Sequence, residues 1–425
     1  MKFPQINKIY SEFVKAPKII TDSRKASANS VFFSLKGDNF NGNHFAEKAI
    51  LDGCAFAVVD EVEYYSGEKY ILVKDCLKAL QELAAYHRSQ LSIPFISITG
   101  SNGKTTTKEL VKAVLSKKYR TLATEGNLNN HIGVPLTVLS VSSDIEIAVI
   151  EMGANHVGEI KMLCEIAHPD FGLITNIGNA HIGEFGSFEN IVKAKTEMYE
   201  YLKKKKRKIF INIDNELLVS KSEGTDKIYY GKSDASYCLC KPVEESASLT
   251  VNYENEIIST QLVGDYNFEN AAAAICIGKY FGIETSEIKQ AIEEYTPSNN
   301  RSQLVEKEKT GNSITADCYN ANPSSMEAAI NSSSASVGIL GDMFELGIYS
   351  SDEHKRIFNL AEKKFNQLIL VGKNFSDAAK GNKCKTFLTT DEALDWLKNN
   401  LVITNSQILL KGSRGMKMEK LLEVL

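Results

Sequence analysis

The sequence predicts an α/β protein of three domains, the middle one built on a parallel sheet. Three observations carry that expectation. Apolar runs of four to six residues alternate with segments of helical period along nearly the whole chain, the pattern of strands and crossover helices. A glycine-rich loop, TGSNGKTTT, joins one such run to one such helix. Two breaks, at Ser92, Ile93 and Pro94 and at TPSNNR (296–301), cut the 425 residues into blocks of ordinary domain size. The expected domains are 1–90, 91–298 and 299–425.

In the first block, VFFSL (31–35) and FAVV (56–59) read as strands. HFAEKAILDG between them reads as a helix stopped by Gly53, and another helix covers about 77–88. Pro94 disfavours helix at the residue before it, which ends the block. The middle block opens on FISIT and runs through the glycine loop into a helix over 104–118, with Leu110, Val111, Val114 and Leu115 on one face. Further strand runs are IEIAVI (145–150), FGLIT (171–175) and KIFINID (208–214). Residues 215–262 are richer in β-type and polar residues and read as an antiparallel edge; AAAAICIGKYFG after them reads as helix. In the last block, strands end in ADCYNANP, GILGDM, LILVG and ILLKGSRG, another α/β unit. Open α/β sheets bind ligands at the carboxyl ends of their strands. The polar signals fall there: the glycine loop, Glu151, and the segment 176–181.

Composition narrows the function. Lys plus Arg is 49 and Asp plus Glu 53, a net charge of −4, so the chain lacks the overall footprint of a nucleic-acid binder. Any phosphate is held by a local site. KKKKRK (203–208), ahead of a strand in an acidic chain, reads as a solvated helix end. The eight cysteines are scattered without a CxxC pair, which argues against structural zinc and for reduced thiols. No apolar run reaches the ~18 residues that span a bilayer. The N-terminus shows no apolar signal core, so membrane insertion is not expected and a cytoplasmic location is.

The loop carries the chemistry. Gly100, Gly103, Lys104 and Thr105 spell G-x-x-G-K-T. Glycines let backbone N–H groups curl around phosphate oxygens, and the following helix adds its positive end. Ser101, Asn102 and Thr106 complete this nucleotide-binding stretch. Lys104, expected exposed in the loop, would reach the β- and γ-phosphates, and the Thr105 hydroxyl would meet Mg²⁺. The spacing is two residues shorter than the general form. A glycine-rich turn with a solvated lysine is the alternative. Glu151 closes an apolar run, where a carboxylate needs a partner or a metal; an exposed strand end is the alternative.

TGSNGKTTT, EGNLNNHIGVPLT (125–137), EMGANHVGEI (151–160) and TNIGNAHIGEFGS (175–187), in this order and spacing, resemble the Mur ligase family, whose own loop is the shortened one. ADCYNANPSSMEAAI (316–330), LGDMFELG (340–347) and LKGSRGMKME (410–419), with TDSRKASANSVFFSLKGDNFNGNHFAEKAI near the start, extend the resemblance to nearly the whole chain. It implies a central P-loop-type ATPase domain between an N-terminal UDP-sugar-peptide domain and a C-terminal Rossmann-like ligase domain. It implies an ATP-dependent ligase of peptidoglycan precursor synthesis, with UDP-MurNAc-tripeptide and D-Ala-D-Ala as substrates, an acyl phosphate between them, and a monomer. Another Mur-type ligase or a folylpolyglutamate synthase is the alternative; an ATP-regulated binding protein is a third reading.

By the same resemblance, Thr105 and Glu151 hold one Mg²⁺, and His181 a second. Lys195 matches a lysine carbamylated in many members; a solvated helix lysine, with Lys193 close by, stays open. Lys104, His181 and Lys195 are the catalytic candidates. Asn267 and Asn270 match an adenine-contacting N-x-x-N, here preceded by Tyr266. Arg301 and Tyr319 match positions at the nucleotide, and Asp317 one at its ribose. Asn129, Asn130, Asn320 and Asn322 are expected near the reacting groups, and Ser23, Arg24, Lys36 and Gly37 at the UDP-sugar peptide.

Overall fold

The structure, a computed structural model, describes residues 6–243, 248–297, 301–400 and 403–425. The architecture is α/β with three main sheets. The first has four parallel strands in the order Lys18–Ile20, Ser30–Phe33, Phe56–Val59, Tyr70–Leu72. The central sheet has seven strands, all parallel, in the order Cys238–Leu239, Asp226–Gly231, Lys208–Asn212, Phe171–Ile174, Phe95–Thr99, Ile147–Glu151, Thr121–Ala123. In the third, Gln303–Lys307 runs antiparallel to Asn312–Asp317, and Gln407–Lys411, Val337–Gly341, Gln367–Val371 and Lys385–Phe387 follow in parallel.

The central sheet positions the site. Its order reverses at Phe95–Thr99, which lies between Phe171–Ile174 and Ile147–Glu151. The segments leaving these three strands diverge there and open a crevice. The strand Phe95–Thr99 is buried along its length, which explains its nearly unbroken apolar run. The helix Lys104–Leu115 lays Leu110, Val111, Val114 and Leu115 fully into the core. It stops three residues before the expected end, because the chain turns after Leu115 to deliver the edge strand Thr121–Ala123.

Residues 215–262 differ from expectation in their first half. Asp226–Gly231 and Cys238–Leu239 extend the parallel sheet, and among the described residues only Lys241–Pro242, Thr250–Tyr253 and Glu256–Ser259 form an antiparallel unit. Asp226–Gly231 starts exposed and alternates half-buried and buried positions before it sinks into the core, so its sequence resembles an edge. The expected second boundary, at 298/299, lies outside the described residues, as does part of TPSNNR.

The helix Cys76–Ser89 joins the first sheet to the central unit. Leu80, Leu83 and Ala84 share one core with Val134 and Val138. Beside that core Arg88 is almost buried, its guanidinium 3.9 Å above the Phe95 ring. It donates to the carbonyls of Ala167 (3.0 Å) and His168 (3.2 Å) and pairs with Asp170 at 2.8 Å. Such a pair gives little net stability but is costly to break from one side.

Candidate active site

Two glycines shape the phosphate loop. Gly100 has φ +145°, and a Cβ there would lie 2.0 Å from Thr175 Oγ1. Gly103 has φ +78°, and its Cβ would lie 2.3 Å from Asn270 Oδ1. Left-handed backbone and lack of room both exclude a side chain. The neighbouring strand's loop braces the turn: Asn102 N–H donates to Asn176 Oδ1 (3.0 Å), Thr175 Oγ1 to Asn102 O (2.6 Å), and Gly178 N–H to Ser101 Oγ (2.9 Å). Thr107 donates to Asn270 Oδ1 (3.0 Å), and Asn270 Nδ2 to Asn267 Oδ1 (2.9 Å). The buried asparagine pair therefore ties the helix Phe268–Tyr280 to the loop helix while lining the cleft.

Lys104 is not exposed as expected. It is half-buried, and its ammonium folds back to donate to Gly100 O (2.8 Å) and Ser101 O (3.0 Å). Short of phosphate oxygens, the cation takes the loop's own carbonyls. Enclosure lowers its pKa; Glu151 opposes that shift, and Arg301 adds to it.

Glu151 is 1% exposed. Its Oε1 accepts from Asn129 Nδ2 at 2.8 Å, while the buried Oε2 has no hydrogen-bond partner among the described residues. Buried polar atoms are nearly always satisfied, so an orphaned carboxylate oxygen marks a place for a cation. With the Thr105 hydroxyl on the same cleft, the donors are hard oxygens, the kind Mg²⁺ takes. Asn130 is exposed, and its Oδ1 accepts from the N–H groups of Ile132 and Gly133, at the start of the next helix.

Lys195 is 2% exposed, whereas Lys193 is exposed. Its amine donates to Ala154 O at 3.3 Å and lies 5.5 Å from the Phe185 ring centroid. Burial first, then Lys104, pulls its pKa down to about 7, against Glu159 and Glu197. Ala154 lines the cleft, and Lys195 sits behind it. His181 lines the cleft with left-handed backbone, φ +55°. Its Nδ1 is 2.6 Å from Glu345 Oε2 of the third unit, a close contact in which the ring N–H falls short of good hydrogen-bond alignment. His181 holds the Glu345 carboxyl below the usual carboxylate range.

The third unit closes over the loop. Asn322 caps the helix Pro323–Ser332 and donates from Nδ2 to Asn102 Oδ1 at 2.7 Å. Ser324 Oγ accepts from Asn179 N–H at 2.9 Å. Tyr319 is clamped by Arg301, 3.4 Å from its ring centroid, and by Arg414, whose Nη1 donates to its hydroxyl at 3.2 Å. Asp317 pairs with Lys411 at 2.5 Å, and Lys411 also reaches Asn320 O at 3.4 Å. Lys411, 1% exposed yet lining the cleft, was not anticipated; its signal was the one that marked Glu151, a charge closing an apolar run, here ILLK.

Together these walls enclose a cleft of about 770 Å³, lined by Thr106, Asn267, Arg301, Asp317, Tyr319 and Asn320 as well as the loop. Four expected residues are not brought to it: Ser23, Arg24, Lys36 and Gly37 line no part of this cleft. Arg24 is exposed and paired with Asp22 (2.7 Å), and Lys36 with Asp60 (2.8 Å) and Glu61 (2.9 Å). Ser23 starts a short 3₁₀ turn, and Gly37 sits in a two-stranded hairpin. No helix among the described residues is long and apolar enough to cross a membrane.

Known proteins match this frame. Residues 18–88 match the model of the Mur ligase family catalytic domain, 98–278 the Mur ligase middle domain and 300–414 the Mur ligase glutamate ligase domain. A UDP-N-acetylmuramoyl-tripeptide–D-alanyl-D-alanine ligase of Bacillus subtilis is 36% identical, over 95% of this chain and 92% of its own. A crystal structure of MurF from Acinetobacter baumannii superposes with a TM-score of 0.84 at 31% identity, covering 96% of this chain and 92% of that one. A MurF ligase from Thermotoga maritima, solved in complex with ADP, shares the fold at a TM-score of 0.84 and 24% identity, covering 97% of each chain. The chain belongs to the Mur ligase family and is an ATP-dependent ligase.

Proposed function

We propose that this enzyme joins D-alanyl-D-alanine to the terminal carboxylate of UDP-MurNAc-tripeptide, giving UDP-MurNAc-pentapeptide, ADP and phosphate. The observation that carries the substrate pair is the Bacillus subtilis relative named for it, aligned over 95% of the chain. The geometry of the cleft supports the chemistry.

A carboxylate oxygen attacks the γ-phosphorus, the bond to the β-phosphate oxygen breaks, and ADP leaves. The amine of D-alanyl-D-alanine then attacks the acyl phosphate carbon; the carbon–oxygen bond to phosphate breaks and the amine sheds a proton. The first step brings two anions together, so the protein's work is positioning and charge neutralisation. Lys104 exchanges the carbonyls of Gly100 and Ser101 for phosphate oxygens, and Arg301 adds charge from the facing wall. Asn267 and Asn270 receive the adenine beside Tyr266. Asp317, oriented by Lys411, takes the ribose, with Tyr319 next to it. Asn129 holds Glu151, and Asn322 and Asn102 join the two walls around the reacting groups; Asn130 and Asn320 lie on the same cleft.

Thr105 and Glu151 would hold one Mg²⁺, and His181 with a carbamate on Lys195 a second; bound there, the ions supply charge neutralisation of the triphosphate. The buried, weakly basic Lys195 amine supports carbamylation, since only a neutral amine captures CO₂. Ser23, Arg24, Lys36 and Gly37 serve the UDP-sugar peptide on the first domain, away from the cleft. The domains are 1–90, 91–298 and 299–425. A monomer in the cytoplasm completes the reading.

A mass-detected ligation assay tests the reading. UDP-MurNAc-tripeptide ending in L-lysine or in meso-diaminopimelate is offered with D-Ala-D-Ala, single amino acids or glutamate. Pentapeptide product and ADP release that needs both acceptor and dipeptide are expected. Turnover with glutamate or a single amino acid alone would overturn it.

A further inference from the structure

The segment LGDMFELG carries resemblance but no role in the cleft chemistry above. Its Glu345 lies outside the cleft lining and is 43% exposed at the side chain. Among the described residues its carboxylate has no Lys or Arg partner; its one close polar side-chain neighbour is His181.

The surrounding contact is built for close approach. Gly183 N–H donates to Glu345 O at 3.0 Å, and Tyr349 OH donates to Gly186 O at 3.0 Å. A Cβ on Gly183 would lie 2.5 Å from Gly347 N, and one on Gly347 would lie 3.1 Å from Gly183 Cα. His181 and Glu345 both take left-handed backbone, φ +55° and +63°, which non-glycine residues adopt rarely. Such outliers persist where their surroundings hold them, and here each faces the other across a domain boundary.

We infer that Glu345 is a positioning residue: from the third domain it sets the ring orientation and tautomer of His181, so the cleft's histidine is arrayed only when that domain is docked. At 2.6 Å, though short of hydrogen-bond alignment, the charge of the carboxylate favours the proton on Nδ1 and leaves Nε2 as the lone pair, the form in which an imidazole serves as a ligand or acceptor. This deepens the ligase reading and rests on it for the role of His181. The geometry of the pair does not depend on that role.

The test uses the full chain with ¹⁵N-labelled histidine, the His181 signals being assigned by their loss in His181→Gln. Long-range proton–nitrogen spectra report the tautomer without substrate. The wild type should carry its proton on Nδ1. Glu345→Ala and Glu345→Asn should move it to a mixture, Asn being the shorter residue that tolerates left-handed backbone. Glu345→Gln, which keeps an acceptor oxygen, should restore the wild-type signal. In ligation, Glu345→Ala and Glu345→Asn should lower kcat by about 10–100-fold, with KM for ATP unchanged. An Nε2 proton in the wild type, or unchanged His181 signals in the folded Asn variant, would overturn the inference. A failed wild-type ligation with an intact Nδ1 signal would strike the substrate reading instead.

Discussion

Lys195→Ala and Lys195→Met probe the buried amine from two sides. With its pKa at about 7, about three-quarters of the amine is neutral near pH 7.5; at the ordinary lysine value it would be about one part in a thousand. Burial thus raises the CO₂-reactive fraction roughly several-hundred-fold. The same shift is a stability statement. A depressed lysine pKa means the unfolded chain binds more protons, so stability rises with pH from about 7 towards the ordinary value and is lowest below about 7. The penalty there is on the order of 5 kcal/mol, with a unit of pKa worth about 1.4. Lys195→Met should therefore melt above the bicarbonate-free wild type near pH 6, with the gap narrowing as pH rises. Bicarbonate should raise the melting temperature of the wild type alone, because the CO₂ in equilibrium with it adds to the folded neutral amine, which releases a proton as the carbamate forms. ¹³C-bicarbonate should give a carbamate carbon signal that Lys195→Ala abolishes. Ligation by Lys195→Ala should fall steeply and recover in part with acetate or propionate, while Lys193→Ala, altering an exposed residue, should need no rescue. Full activity in Lys195→Ala, no carbamate signal in the wild type, or a response at Lys193 instead would refute the reasoning.

Lys104→Ala should cut kcat by about 10²–10³-fold with a stability change of about 1 kcal/mol or less, since its bonds are to loop carbonyls beside the open cleft; near-wild-type turnover would reject the phosphate role. Gly103→Ala must displace Asn270 and hold a left-handed alanine, costing about 1–2 kcal/mol for the backbone alone, and should weaken ATP binding in a nucleotide titration; unchanged melting and affinity would contradict the loop geometry. Asp170→Ala strips the nearly buried Arg88 of its carboxylate and should cost about 3–5 kcal/mol in denaturant unfolding, with ligation kept at low temperature. A loss within 0.5 kcal/mol, about the scale of an ordinary surface change, would show that Arg88 is held by its carbonyls alone.

What was legible follows how locally each feature is determined. Phe56–Val59 matches FAVV residue for residue, and the loop helix begins at Lys104 as expected, because burial of a whole strand or a helix face writes its period into consecutive residues. Glu151 was legible because a charge at the end of an apolar run must be satisfied; Lys411 obeys the same rule at the end of ILLK. Asp226–Gly231 resembles an antiparallel edge in sequence because its exposed start and half-buried positions give a parallel strand mixed patterning. Lys104 misled in another way. A lysine after a glycine reads as solvated, yet the loop that cradles phosphate also turns carbonyls inward, and the ammonium takes them.

Contacts between domains lie deepest, since their partners share no period. Asn102 with Asn322, and His181 with Glu345, join the unit of the central sheet to that of the third. Even there the chain leaves a trace in residue type. Two loops approach this closely across a boundary where a Cβ would be in the way, and Gly183 and Gly347 stand two residues beyond His181 and Glu345 respectively. Gly347 in ELG and Gly183 in HIGEFG are therefore one feature, a close approach of two loops.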